Sequence, residues 1–472
     1  MKDNSIGRNL TFAVCSNILR AILRLSQIAI LTRLFSPEEF GEVAIVWFLS
    51  GIIPLISEAG LSTFVIKSRE NRNSEVLITV TCLSLATFCA YLLLVHGNNR
   101  FTQLQQNAIG ILLLLIVINS LMIVWRAIAE KNGLFKELAK LDLVLWTSTF
   151  VFSVSLAFVS GSILSIFIAN FLSMIIVNAL LFRKTKHLVT FLTPSSMGVG
   201  KCFRFTAGYF PKNFLRQLSF HIDILIASRT LSLEQLGIYL IARNLIFELV
   251  LMIAIPFSRV TLSQSANRDS SSLADLKELL RIACNLSLVI TSMIFINSHL
   301  IVSTLFDSDF SQASTILQLL SIVIVARLVL VIYESSRDVI EERNVGMIYS
   351  LINLTVNVAI MFWLSDGTGL AFAKAALFHS IAITAFTLIL FKLRLGIDGF
   401  SQISIGLLSL ALFSVITYTL AASYQKGNEV ILGIIVSLSF VTLLFLFRVE
   451  IYLDFRKLLK VFLFSLGSSK KL

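Results

Sequence analysis

Arg20 and Arg24 lie one helical turn apart in NILRAILRLSQIAIL (residues 17–31), a run otherwise apolar enough for a membrane interior. An arginine near a bilayer centre costs about 2.5–3.5 kcal/mol on insertion scales, so two of them need something to face. Asn17, Arg20, Arg24 and Gln27 follow each other at intervals of three, four and three, which places all four on one helical face. A second polar stripe occurs in KNFLRQLSFHID (212–223), where Lys212, Arg216, Ser219 and Asp223 share a face and Asn213 lies beside them. Guanidinium forks bind phosphate through paired hydrogen bonds, which strengthen where water is excluded. The chemistry these residues suit is the holding of an anionic head group, a phosphate or diphosphate, in a cleft. The outer loops offer no nucleophile–histidine constellation or acid/base pair that would point to an enzyme. Five cysteines (Cys15, Cys82, Cys89, Cys202, Cys284) and five scattered histidines have no metal-ligand spacing, so neither a metal nor a cofactor is expected.

The elements that must carry these residues are membrane helices. The chain has 472 residues, of which 56% are hydrophobic and only 14% charged. Soluble domains carry roughly 25% charged residues, so composition predicts an all-α polytopic membrane protein. Apolar runs fall near 9–33, 39–66, 75–96, 107–128, 138–159, 162–182, 203–229, 235–262, 277–298, 313–333, 343–364, 368–391, 402–421 and 428–448, about fourteen spans. The first is expected to stay in the mature protein rather than be cleaved as a signal, because two arginines interrupt it and no small-residue cleavage site follows.

Charge distribution tests the count. With the N-terminus in the cytoplasm, about 28 of the 39 Lys and Arg residues fall on the cytoplasmic side. Only Arg33, Arg100, Arg229 and Lys426 fall opposite. Both termini are therefore expected in the cytoplasm, and the net charge of +12 reads as topology rather than as a nucleic-acid surface. Seven cations remain inside spans: Arg20, Arg24, Lys212, Arg216, Arg243, Arg327 and Lys374. Acids there are fewer: Glu58, Asp223, Glu248 and, near an interface, Asp142. The seven cations are the candidate substrate-binding set, with Asn17, Gln27, Asn213 and Asp223 as polar neighbours. Asp223, Glu248 and Glu58 are candidates for ion coupling. Each group also has a plainer reading. Arg243 and Glu248 are candidates for local pairing, Arg327 and Lys374 for ties between helices, and Glu58 for an interfacial position.

The stripes belong to an internal repeat. At an offset of 196 residues, Arg8/Arg204, Asn17/Asn213, Arg20/Arg216, Arg33/Arg229, Ser36/Ser232, Glu38/Glu234 and Gly41/Gly237 coincide, among about eleven identities. Six spans separate the copies, an even number, so both halves enter the membrane in the same sense. The expected organisation is an N-terminal six-helix lobe (1–182), a cytoplasmic connector (183–202), a second six-helix lobe (203–391), and two extra helices with a basic tail (392–472). Ser36 with Glu39 and Ser232 with Gln235 read as capping boxes. Pro54, Pro211 and Pro256 lie within helices and are candidate kinks or pivots. The GVGK of the connector lacks phosphate-loop spacing.

The loop LTRLFSPEEFG (31–41), followed by a kinked span and EAGLSTFVIK (58–67), resembles the polysaccharide and O-antigen flippases of the multidrug/oligosaccharidyl-lipid/polysaccharide exporter superfamily. The resemblance implies a two-lobed bundle with a cationic cavity and alternating access. It also implies transfer of undecaprenyl-diphosphate-linked oligosaccharide across a bacterial inner membrane for O-antigen or capsule assembly. A polysaccharide polymerase and a chain-length regulator are the implied protein partners. A multidrug/cation antiporter of the same superfamily should carry cavity acids, and the first span has none. A membrane-embedded polymerase or ligase should carry a long periplasmic loop, whereas the longest outer loops, near 97–106 and 299–312, are short.

Overall fold

The computed structural model describes residues 3–58, 60–68, 72–96, 102–189, 193–266, 270–340, 343–364 and 366–395. Expected spans thirteen and fourteen, with the basic tail, lie outside the described residues. Helices account for nearly all of the rest. They are α1 (Asp3–Leu31), α2 (Pro37–Glu42), α3 (Ala44–Glu58), α4 (Leu61–Lys67), α5 (Asn73–His96), α6 (Gln103–Leu121) and α7 (Ile123–Lys131). After them come α8 (Phe135–Ser160), α9 (Ser165–Thr185), α10 (Ser196–Thr230), α11 (Leu233–Ala266) and α12 (Ser270–Leu305). A short 3-10 turn (Ser308–Phe310) precedes α13 (Ala313–Ile340), α14 (Arg343–Leu364) and α15 (Gly369–Leu395).

Eight of these are long and apolar enough to cross a membrane, among the described residues: α6, α8, α9, and α11 to α15. Helix α1, with 29 residues, and α10, with 35, have the length but carry the polar stripes, which lower their hydropathy. The protein is an all-α, multi-pass membrane protein. Two of the expected spans are broken. The second is built from α2, α3 and α4, with Gly60 at φ +81° before α4. The fourth is split into α6 and α7 at Met122.

Capping explains several boundaries. Ser36 and Glu39 form the reciprocal box that opens α2: Ser36 N donates to Glu39 Oε2 at 2.8 Å, and Glu39 N donates to Ser36 Oγ at 3.4 Å. At the equivalent place in the second copy, Gln235 N donates to Ser232 Oγ at 3.3 Å. Thr102 opens α6 in the same way, and its hydroxyl donates to Glu42 Oε1 at 2.6 Å, tying α6 to the end of α2.

The chain packs as two compact units. One comprises residues 15–237 with 347–358; the other comprises 1–14, 238–346 and the residues from 359 onward. In the first, α8 lies along α9, and α10 lies along α3 and α5. Its apolar core includes Leu61, Val76, Val80, Trp125, Ile128 and Leu181. Glycines let α10 approach closely. A Cβ on Gly51 would stand 2.7 Å from His221 Nε2, and one on Gly60 would stand 2.2 Å from the Tyr209 ring. In the second unit α13 packs between α12 and α15, with Thr291 Oγ1 donating to the Ser321 carbonyl at 2.9 Å.

One contact in the first unit joins positions that the expected repeat makes equivalent. A Cβ on Gly41 would lie 1.9 Å from the Leu233 carbonyl oxygen, and a Cβ on Gly237 would lie 1.8 Å from the Pro37 carbonyl oxygen. Positions 37 and 233, like 41 and 237, are related by the same 196-residue offset. The backbones at these offset-related positions therefore touch reciprocally, and only glycine permits the approach.

Candidate functional site: a cationic stripe on two repeat-related helices

Helix α1 presents its polar face to α8. Arg24 Nη1 donates to Gln27 Oε1 at 2.9 Å, and Gln27 Nε2 donates to Ser153 Oγ at 2.7 Å. Gln27 is only 2% exposed, so this chain of hydrogen bonds holds the polar stripe in register with α8. Further along the same face, the Arg20 guanidinium stands 5.5 Å from the centroid of the Trp146 ring. Trp146 and Ser153 are seven residues apart, two turns on one face of α8. Asn17 is half-buried one turn before Arg20.

Helix α10 carries the equivalent stripe. Asn213 and Asp223 are buried at 8% exposure each, and Ser219 is buried between them. The Ser219 hydroxyl donates to the Leu215 carbonyl at 2.9 Å, and Asn357 Nδ2 of α14 donates to the Ser219 carbonyl at 2.9 Å. Arg216 is half-buried and makes no hydrogen bond or ion pair among the described residues. Its guanidinium brings five donors to that position. Pro211 lies inside α10, which runs on through it. The side chains of Lys212, Glu58, Pro54 and Pro256 lie outside the described residues.

In the other unit Arg243 and Arg327 come together on one ring. Arg243, on α11 and 3% exposed, stands 4.1 Å from the centroid of Phe247. Arg327, on α13, stands 5.4 Å from the same centroid. Glu248 is the half-buried neighbour of that ring along α11. Lys374 is placed differently. It lies exposed near the start of α15, and no contact among the described residues joins it to the other cations.

Sequence reasoning missed Trp146, Ser153 and Phe247. The first two carry no charge and sit in an ordinary apolar span. Phe247 could have been suspected from its place one turn after Arg243. Among the described residues no group of three His, Cys, Asp or Glu could hold a metal.

The comparisons with known proteins bear on this arrangement. The description "Polysaccharide biosynthesis protein" matches residues 30–275, just over half of the chain, including the 31–41 loop and both repeat-related glycines. The chain belongs to that family. No curated protein matches it. Among solved structures it is similar to "Lipid II flippase MurJ, inward closed conformation", with TM-score 0.73, 15% identity, and coverage of 93% of this chain and 99% of that one. It is also similar to an inward-facing multidrug resistance MATE family transporter of the MOP superfamily, with TM-score 0.62, 14% identity, and coverage of 80% and 94%. A third similar structure is a MOP superfamily transporter from Pyrococcus furiosus, described as having reverse polarity of its binding pocket, with TM-score 0.57, 13% identity, and coverage of 83% and 94%. The chain is thus a member of the polysaccharide biosynthesis family whose fold is that of these flippases and transporters.

Proposed function

We propose that the chain moves undecaprenyl-diphosphate-linked oligosaccharide units from the cytoplasmic to the periplasmic leaflet of a bacterial inner membrane. The product serves O-antigen or capsular polysaccharide assembly, and both termini are cytoplasmic, as the basic asymmetry of the sequence supports. The observation that carries the reading is the Arg20/Arg216 pair. Two guanidiniums at equivalent places in a duplicated fold are half-buried in a membrane protein of a polysaccharide biosynthesis family. A diphosphate offers each of them a bidentate partner. The sugar crosses in a polar cleft to which α1 and α10 contribute, while the isoprenoid tail stays in lipid and needs no dedicated site. Alternating access exposes the cleft first to one side and then to the other. Arg24 and Lys212 add to the cationic character of these two stripes, Arg243, Arg327 and Lys374 are the candidate substrate-binding cations of the other unit, and Asp223, Glu248 or Glu58 is the place where a coupling ion would act. A polymerase and a chain-length regulator receive the product.

The test is surface polysaccharide in a flippase-deficient strain, normalised to folded protein in the membrane. Alanine at Arg20 or Arg216 removes a charge-assisted bond worth about 1.5–3 kcal/mol, a roughly 10- to 150-fold loss in substrate binding. Lysine keeps the charge without the planar fork and rescues in part, and glutamate is worst. Normal export by a well-expressed double alanine variant overturns the reading.

A further inference from the structure

Away from the stripes, α7, α8 and α9 enclose a pocket of about 430 Å³ at the end where α9 runs into the connector. Its floor is apolar, built from Leu134, Leu138, Leu141, Leu181 and Leu188. Its rim is cationic through Arg183 and Lys184 in the last turn of α9, and His187 adds an imidazole just beyond it. Glu137 is the acid on the rim, and it is occupied twice. Lys184 Nζ bonds its Oε2, and Lys140 Nζ lies 3.0 Å from its Oε1. Two lysines on one carboxylate leave the rim net positive. Arg183 and His187 are exposed and make no side-chain hydrogen bond or ion pair among the described residues.

Basic residues at the end of a span follow from topology alone, and in the last turn of a helix they also complement its dipole. Neither reason calls for a leucine-lined hollow beneath them. The combination matches one amphipathic partner: a phosphate whose oxygens meet Arg183 and His187, joined to hydrocarbon that fills the pocket over the leucines. Residues 136–160 and 165–185 are long and apolar enough to cross a membrane, and the pocket lies where one begins and the other ends. We propose that this pocket is a binding site for an anionic phospholipid of the surrounding leaflet. The site is separate from the translocation stripes, and it does not depend on what the transporter carries.

The test uses the purified full-length protein in a mild detergent, titrated with phosphatidylglycerol or phosphatidylcholine, with retained lipids counted by native mass spectrometry. Near a membrane surface each Lys or Arg favours an anionic lipid about fivefold. The wild type is expected to retain phosphatidylglycerol preferentially, and the Arg183→Gln/His187→Gln variant to lose about fivefold or more of that preference. Leu138→Trp, which fills the floor but leaves the rim intact, should lower retention of the same lipid. Glycerol phosphate, which has the head group without acyl chains, should not compete. Equal retention of the two lipids by the wild type, or competition by glycerol phosphate as strong as by the lipid itself, overturns the site. So does unchanged preference in both variants. The variants leave Arg20 and Arg216 intact, so surface export in the same strains distinguishes failure of this site from failure of the transport reading.

Discussion

Alanine at Gly41 is the sharpest perturbation that the fold offers. Its Cβ would sit 1.9 Å from the Leu233 carbonyl oxygen, where real contacts do not fall below 3.0 Å. The obstructing atom is backbone, so no side chain can swing aside. The start of α11 and the end of α2 must separate by at least about 1 Å. Resistance is considerable, because α2 is held at its end by the Thr102 bond to Glu42 and by Gln105 Nε2 donating to the Glu42 carbonyl at 2.8 Å. Overpacking of this kind costs about 1–3 kcal/mol. The reciprocal change, Gly237→Ala, meets the Pro37 carbonyl oxygen at 1.8 Å and should cost about the same. The two are not independent. Once one alanine has forced the backbones apart, the second finds room, so the double variant should lose clearly less than the sum, by about 0.5–3 kcal/mol. The assay is thermal unfolding in a mild detergent, followed by two probes, with Gly110→Ala as the control because nothing lies within 4 Å of its added Cβ. Wild-type stability in both single variants, or strict additivity in the double, would refute the reciprocal contact.

Three other outcomes follow from the packing around these helices. Gln27→Leu takes away the acceptor of Arg24 and should cost about 1–3 kcal/mol; Ser153→Ala added to it should cost less than Ser153→Ala alone, which a double-mutant cycle on unfolding measures. Phe247→Leu removes the ring that Arg243 and Arg327 share, worth about 0.5–2 kcal/mol for each cation, whereas Phe247→Tyr should retain most of it, read from the same unfolding curves. Burial pushes the Cys202 thiol up from its ordinary value, with the hydrogen bond to Thr79 opposing only in part. Maleimide labelling of a variant retaining only Cys202 should thus stay slow as pH rises through the usual thiol range, then become fast once detergent unfolds the protein. Rapid labelling of the folded protein at neutral pH would contradict that burial.

Much of this architecture could be read from the residues, because a membrane leaves few options. Twenty apolar residues bounded by polar loops can satisfy their backbone only as helix, so α8 and α9 appear within a few residues of the expected ends. The breaks at Gly60 and Met122 were not legible. A helix interruption inside a span depends on which neighbour supplies the freed backbone groups, and that is a tertiary fact. The early start of α10 at Ser196 has a similar cause. Ser195 caps it by accepting from Gly198 N at 3.0 Å, beside Glu75 of α5, which is 120 residues away in sequence. At the site, Arg20, Arg24, Gln27 and Arg216 stood out because a charge or amide in an apolar run is costly and needs a reason. Trp146, Ser153 and Phe247 did not, since an aromatic or a hydroxyl in a span carries no such cost. Lys374 shows the converse. Its charge made it conspicuous, yet its position near a helix end leaves it exposed.

The glycine contact also says something about descent. A contact in which one position of the first copy meets a second position of the other, and the reverse holds with the same pair, is the mark of a two-fold axis between identical chains. A single ancestral half would have carried both surfaces of that contact, and two such halves entering the membrane in the same sense could have closed on each other through it. Fusion turns such a pairing into a tethered one, and its strength is then set by the connector rather than by the abundance of protein in the membrane. It also frees the copies to differ. Opposite Arg24 the second copy has Phe220, and opposite Gln27 it has Asp223, an asymmetry that no pair of identical halves could hold. On such a descent the glycines would have kept the symmetry at the crossing while the polar stripes diverged around it.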